Sequence, residues 1–276
     1  MIILAATPIG NLGDASPRLR EALETASVIA AEDTRMATHL MQALRIGNRP
    51  RLISMFEHNE LSRVDEVLDL AGEQDVLVIS DAGMPTVSDP GYALVAAARE
   101  RGVEVTALPG PSAPITALAL SGLPTDRFSF EGFVPRKAGE RARLWRELAT
   151  DRHTLIFFES ARRLAVTLAE MASAFGPDRR ASVARELTKK FEQVRTSTLG
   201  NLAEWAAQGV RGEIVIVVAG AARQESIPDP AELVGEVREL TSQGMRLTDA
   251  CAQVSARTGA SRKQLYALAV GRAGTE

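Results

Sequence analysis

Along the chain, apolar runs of four to six residues alternate with longer segments in which apolar positions recur every three to four residues. The runs fall at residues 2–6, 28–31, 52–55, 76–80 and 103–108. They are too short for helices and apolar on both faces, which reads as buried strands of a parallel sheet. Between the first two, Ser16-Pro17 offers an N-cap and a first-turn proline for a helix to about Ala26. Leu61, Val64, Val67, Leu68 and Ala71 share one face of a further helix. The alternation returns in the second half, with strands near 154–158, 181–185 and 213–218 and a helix from Arg162 to about Phe175. The predicted fold class is therefore α/β, as two α/β domains with a ligand cleft between them. The segment Leu108-Pro-Gly-Pro-Ser112 breaks regular structure, and Ser112 can cap a helix running to Ser121. This places the domains at residues 1–110 and 111–224.

Residues 224–230 are polar and carry two prolines, and everything after them has helical period. A small C-terminal helical domain over 225–276 follows, its first helix starting near Pro230. Thr248 can cap a second helix and Ser261 a third, and Val254-Ser255 followed by Gly259 has the spacing of a helix-turn-helix. Residues 257–272 hold Arg257, Arg262, Lys263 and Arg272 and no acid. Arg262 and Lys263 are candidate phosphate contacts. The alternative is a helical hairpin that packs on the body or on a partner.

Composition narrows the classes. The 276 residues carry a net charge of −3, with 45% hydrophobic and 24% charged positions, which is ordinary for a globular chain. Cys251 is the sole cysteine, and His39, His58 and His153 are scattered, so neither an internal disulfide nor a metal is expected. The start, MIILAATPIG, lacks the basic flank and long apolar run of a signal segment, and nothing approaches the ~20 apolar residues of a spanning helix. A cytoplasmic protein without a membrane partner is the expectation. Aromatics are 4% of residues and the net charge is slightly acidic, which argues against base-stacking platforms and a globally basic surface.

Candidate chemistry sits at strand ends. Residues 7–14, TPIGNLGD, contain glycine yet fit neither dinucleotide nor triphosphate fingerprints. Residues 80–91, SDAGMPTVSDPG, hold two Ser-Asp pairs, two prolines and two glycines behind a buried strand. Asp81 there can accept hydrogen bonds from ribose hydroxyls or pair with an ammonium group. The alternative is that Asp81 and Asp89 only cap turns and the next helix. In AEDTR (31–35), Glu32, Asp33 and Arg35 could supply a general base and a cation, against the alternative of a helix cap at Asp33 or Thr34 with an incidental ion pair. FFESARR (157–163) and RELTKKFE (185–192) also combine carboxylates with cations at strand ends and admit phosphate neighbours, unless they form a solvated charged rim.

Taken in order, LAATPIGNLGD, AEDTR, SDAGMPTVSDPG, LPGPSAPITALALSGLP, EGFVPRK, FFESARR, RELTKKFE and GEIVIVV resemble the tetrapyrrole-methylase superfamily, and more closely its ribosomal branch, the small-subunit ribosomal RNA methyltransferase I family. The resemblance spans nearly the whole chain, and its most specific parts are the 80–91 stretch and the helical tail. It implies 2′-O-methylation of a cytidine in the decoding region of 16S ribosomal RNA, S-adenosylmethionine as methyl donor, and a homodimer. Carried over by position, the donor site implies Pro8, Ile9, Asp81, Met84, Ser112 and Ala113, with Glu159, Leu187 and Glu213 as weaker contacts. Glu32 or Asp33 is then the candidate base, and Arg35, Arg162, Arg163 and Lys189 the candidate holders of RNA phosphates. Two other readings stand beside this one: a methyltransferase for a small molecule or a protein side chain, and a ligand-sensing helix-turn-helix regulator.

Overall fold

Strand β1 (Ile2–Ala5) turns Ile2 and Leu4 to one side and Ala5 to the other, the period-two alternation of a pleated strand. It lies between β4 (Val76–Ile79) and β5 (Val105–Leu108), and β2 (Val28–Ala31) lies between β4 and β3 (Arg51–Ser54). All four pairings are parallel, giving the order β3-β2-β4-β1-β5. The computed structural model describes residues 1–56, 58–222 and 228–271.

Helices α1 (Pro17–Thr25) and α2 (Thr34–Ala43) supply the core on one face of this sheet, through Leu19, Leu23, Ala37 and Met41. On the other face α3 (Glu60–Glu73) and α4 (Tyr92–Glu100) bring Val64, Val67, Leu68 and Leu94. The Ser16 hydroxyl caps α1 by accepting from the Leu19 N–H at 3.0 Å. Leu61 departs from expectation: it stands in the first turn of α3, 81% exposed, outside the face that the other four apolar residues bury.

After β5 the chain enters α5 (Ala113–Ser121), which packs against a second sheet. That sheet has the order β6-β7-β10-β8-β9, from β6 (Phe128–Phe133), β7 (Thr154–Ser160), β8 (Arg180–Arg185), β9 (Gln193–Thr198) and β10 (Glu213–Val218). It is mixed and does not repeat the first: only β6 and β7 run parallel, while β10 is antiparallel to β7 and β8, and β9 to β8. Because β10 runs the other way, Glu213 at its start pairs with Ser160 at the end of β7. Helices α6 (Ala138–Leu148), α7 (Leu164–Phe175) and α8 (Leu199–Ala206) cover the outer face around Trp145, Phe157 and Leu168. On the inner face Leu118, Ile156, Leu187 and Val215 form one cluster with Ile9, from the loop after β1. Both sheets fall within one compact unit, Met1–Ala221.

The second unit, Ala222–Glu276, has its own core of Val237, Ala250, Cys251, Val254, Ala260 and Leu265. Its helices are α9 (Pro230–Ser242), α10 (Leu247–Thr258) and α11 (Arg262–Gly271). Asp229 caps α9. Arg246, not Thr248, occupies the cap position of α10, with Thr248 inside the first turn. Gly259 ends α10, and the Ser261 hydroxyl accepts from Gln264 at 3.4 Å at the start of α11. Arg257 is paired with Glu236, so it is not free for phosphate. The expected boundary between residues 224 and 225, and Arg272, lie outside the described residues. Among the described residues no helix is long and apolar enough to cross a membrane.

Candidate functional site

Parallel pairing brings the C-terminal ends of β1, β2, β4 and β5 to one edge, where open α/β sheets hold ligands. The loops there are tied to one another. Thr7 N–H donates to the Gly83 carbonyl at 2.8 Å, Gly83 N–H returns to Thr7 at 3.1 Å, and the Thr7 hydroxyl donates to the Ser80 carbonyl at 3.2 Å. Asp81 N–H donates to Glu32 Oε2 at 3.3 Å, while Asp33 N–H donates to Asp81 Oδ1 at 3.2 Å. AEDTR and the 80–91 loop are therefore locked side by side. Glu60 fixes the far end of that loop, its Oε1 accepting from the N–H groups of Gly91, Ala93 and Leu94 at 3.0, 2.8 and 3.3 Å.

Between this edge and the second sheet lies a cavity of about 910 Å³, within the range of small-molecule sites. Ile9, Asp81, Met84, Ser112 and Ala113 line it, as do Glu159, Leu187 and Glu213 from the opposite side. Of the expected donor-site residues only Pro8 is outside the lining. Ser112 stands at the N-cap of α5, yet its side chain makes no capping bond there. Glu32 lines both this cavity and a smaller neighbouring hollow that holds Asp33 and Arg35.

The wall under the first sheet is acidic. Burial pushes the Glu32 carboxyl up, reinforced by the charges of Asp81 and Asp33. Asp81 is likewise raised, first by burial. Asp89, also in the lining, is pushed up to about 6 by burial and then by the charge of Glu32. Asp33 behaves oppositely. It caps α2, accepting from Arg35 N–H at 2.8 Å, and pairs with the Arg35 guanidinium at 2.6 Å, which holds its carboxyl down at about 2. A carboxylate held that low is a poor proton acceptor, so of the two Glu32 is the better suited to receive a proton. Arg35 is 89% exposed beyond that pair.

Two loops that line the cavity carry the same backbone device. Thr86 (φ 75°) and Ser88 (φ 64°) flank Val87, and Glu186 (φ 52°) and Thr188 (φ 64°) flank Leu187; both central residues face the cavity. These are four of the five non-glycine residues with positive φ among the described residues. Each such position costs on the order of 1–3 kcal/mol, and such strain clusters at ligand sites. Thr188 Oγ1 is moreover buried without a hydrogen-bond partner.

The cations divide into engaged and open. Arg163 was expected to hold RNA phosphate, but its guanidinium lies 2.6 Å from the fully buried Glu159 carboxylate and donates to the carbonyls of Val134 (2.9 Å) and Pro135 (3.0 Å). It is a clamp between β7 and the loop after β6. Lys189 is similarly taken up, by Glu213 at 2.9 Å and Glu186 at 3.3 Å, and its stem runs so close over Gly10 that a Cβ there would come within 2.5 Å. Arg162 is exposed in the lining and makes no ion pair among the described residues. Asp89, Phe133 and Arg136 were not assigned from sequence, although each lies in a quoted motif and lines the cavity. Their signal was the second Ser-Asp pair of residues 80–91 and the cation next to proline in EGFVPRK.

Residues 1–203 match the family model described as Tetrapyrrole (Corrin/Porphyrin) Methylases, and 228–273 match the RsmI C-terminal HTH domain. A ribosomal RNA small subunit methyltransferase I of Mycobacterium bovis is 49% identical, over 96% of this chain and 93% of that protein. The chain belongs to the ribosomal RNA small subunit methyltransferase I family. A member from Pseudomonas aeruginosa is 42% identical over 99% of this chain and 98% of its own length. The solved uroporphyrin-III-C-methyltransferase of Thermus thermophilus superposes with a TM-score of 0.56 at 17% identity, covering 80% of this chain and 94% of that one, which shows the shared fold. The methyl donor of this family is S-adenosylmethionine. The cavity fits it: raised carboxylates suit its sulfonium, its ammonium and its ribose diol, and the donor has no phosphate that would need a glycine-rich cradle.

Proposed function

We propose that this chain transfers the methyl group of S-adenosylmethionine to the 2′-hydroxyl of a cytidine in the decoding region of 16S ribosomal RNA, on the small ribosomal subunit. The observation that carries this reading is a cavity of methylase fold with an uncompensated acidic wall, in a chain whose near-full-length relatives are named for ribosomal RNA small-subunit methylation.

Bound in the cavity, S-adenosylmethionine supplies a methyl group already activated on sulfur, open to in-line displacement. The work left to the protein is alignment, exclusion of water and removal of one proton. Asp81, Ser112 and the backbone of Ile9 and Ala113 hold the donor. Glu32 takes the proton of the ribose hydroxyl as the O–C bond forms and the C–S bond breaks, a role typically worth ~10²–10⁴ in rate. Its raised carboxyl suits the task, since it yields a stronger base than an ordinary glutamate. Arg162 faces the RNA phosphates from the cavity, and Arg262 and Lys263 on α11 add contacts from the tail, with affinity that falls as salt rises. The working unit is a cytoplasmic homodimer, and the chain divides functionally at residues 1–110, 111–224 and 225–276.

The reading is tested by incubating the full chain with methyl-labelled donor and, in parallel, small subunits, free 16S RNA and a tetrapyrrole. Label should enter the small subunit. Label in the tetrapyrrole, or in none of the three, contradicts it.

A further inference from the structure

Low aromatic content argued against base stacking, yet one phenylalanine stands at the cavity in the position such a platform needs. The register between β6 and β7 slips between Phe130 and Phe133, through Gly132 at φ 70°. Such a bulge re-aims the side chain that follows it. Phe133 is turned outwards, 64% exposed, and lines the cavity. Its ring is backed by Phe158 at 5.1 Å between centroids, and Phe158 in turn by Phe130 at 5.0 Å. One face of the outermost ring is thus supported and part of its surface is open.

The loop after Phe133 is held rigidly. Arg163 donates to the Val134 and Pro135 carbonyls, and Arg141 donates to the Arg136 carbonyl at 2.7 Å while paired with Glu170 at 2.8 Å. That scaffolding leaves the Arg136 side chain exposed in the lining, to which the exposed Arg162 also belongs. An open aromatic face with two cations lacking ion pairs among the described residues, across a cavity from carboxylates, matches the parts of a nucleotide. A base has a π-face for stacking, and its flanking phosphates seek cations.

We infer that Phe133 is the platform on which the base of the acceptor nucleotide stacks, with Arg136 and Arg162 holding the flanking phosphates. This rests on the proposed RNA substrate and names how the second sheet receives it. The stacked base positions its own ribose over the cavity, towards Glu32. Phe133 is a positioning residue for the acceptor and has no part in holding the donor.

The test uses the full chain with assembled small subunits, comparing Phe133→Ala, Phe133→Tyr and Arg136→Ala with the unaltered protein. Donor affinity is measured by calorimetry, subunit binding by filter retention, and methyl transfer by steady-state kinetics. Phe133→Ala should raise KM for subunits and weaken their retention about tenfold, with donor affinity unchanged. Phe133→Tyr should restore both, because a phenol ring stacks as phenyl does. Arg136→Ala should make the salt dependence of subunit binding shallower by about one ion. Donor affinity that falls in step with Phe133→Ala would show the ring covering the donor and overturn the inference. So would normal KM and retention in that variant, while leaving the proposed reaction intact if transfer proceeds. Conversely, subunits retained through Phe133 but never methylated would overturn the proposed reaction and keep the platform. No retention of subunits by the unaltered chain overturns both.

Discussion

The two walls of the cavity treat charge in opposite ways. On the first-sheet side Glu32, Asp81 and Asp89 crowd together and all three carboxyls are pushed up, first by burial and then by the charge of neighbouring carboxylates. On the second-sheet side each carboxylate of the lining has a cation, Glu159 with Arg163 and Glu213 with Lys189, and Arg136 and Arg162 stand over without an ion pair among the described residues. A matched pair builds, since breaking it leaves a buried charge without a partner. An unmatched cluster is costly to folding and persists where a ligand or a proton is to be received. Charged residues at a strand end therefore do not carry one meaning; the partner decides.

The comparison can be broken most sharply at Glu32. Glu32→Gln should lower the single-turnover rate of methyl transfer ~10²–10⁴-fold with donor affinity within a few-fold, whereas Asp33→Asn, already cap and ion-pair partner, should keep most of the rate. Equal losses in both variants would erase the distinction between them.

The matched wall answers to stability instead. Arg163→Ala removes the partner of a fully buried carboxylate and should cost about 3 kcal/mol in urea unfolding. If that variant folds normally but loses salt-dependent RNA binding, Arg163 is a phosphate contact after all.

Asp81→Ala takes one acceptor from the donor site and should weaken S-adenosylmethionine binding roughly tenfold by calorimetry, the scale of one charge-assisted hydrogen bond. An unchanged affinity would remove Asp81 from the site.

The smallest effect is a pH dependence. Asp89 titrates at about 6 in the folded chain against 3.8 as its ordinary value, so the folded state binds its proton more tightly. The stability this contributes is full below about pH 4 and is lost as pH rises through about 6. Asp89→Asn should accordingly raise the free energy of unfolding at pH 8 by on the order of 1 kcal/mol after allowance for the part-exposed site, read as a higher melting temperature, and gain nothing near pH 4. A gain that does not change with pH would mean that the carboxyl is not crowded.

How much was legible follows from the same contrast. Strands apolar on both faces, such as residues 28–31 and 213–218, stand out as runs, and their observed bounds agree with the reading. The strands β6 and β9 do not, because FSFEGF and QVRTST lie at sheet edges with most positions part-exposed and carry no apolar run. Strand direction leaves no trace in a period of two, so the mixed second sheet could not be told from a repeat of the first. Motif positions marked the cavity, but charge state arises from proximity in space: Asp89 is raised by Glu32, a residue on another loop. Glu159 and Arg163 stand four apart, but on a strand end and in the turn that follows it, so no helical spacing in FFESARR announced their pairing.

The account stands or falls on where the methyl group goes. Small subunits methylated with labelled donor by the full chain should yield, after alkaline hydrolysis of their RNA, label in an alkali-resistant dinucleotide whose 5′ nucleotide is 2′-O-methylcytidine, because methylation removes the hydroxyl that attacks the adjacent 3′ phosphate. Label released as mononucleotides would place the methyl on a base and contradict the acidic wall as acceptor of a ribose proton.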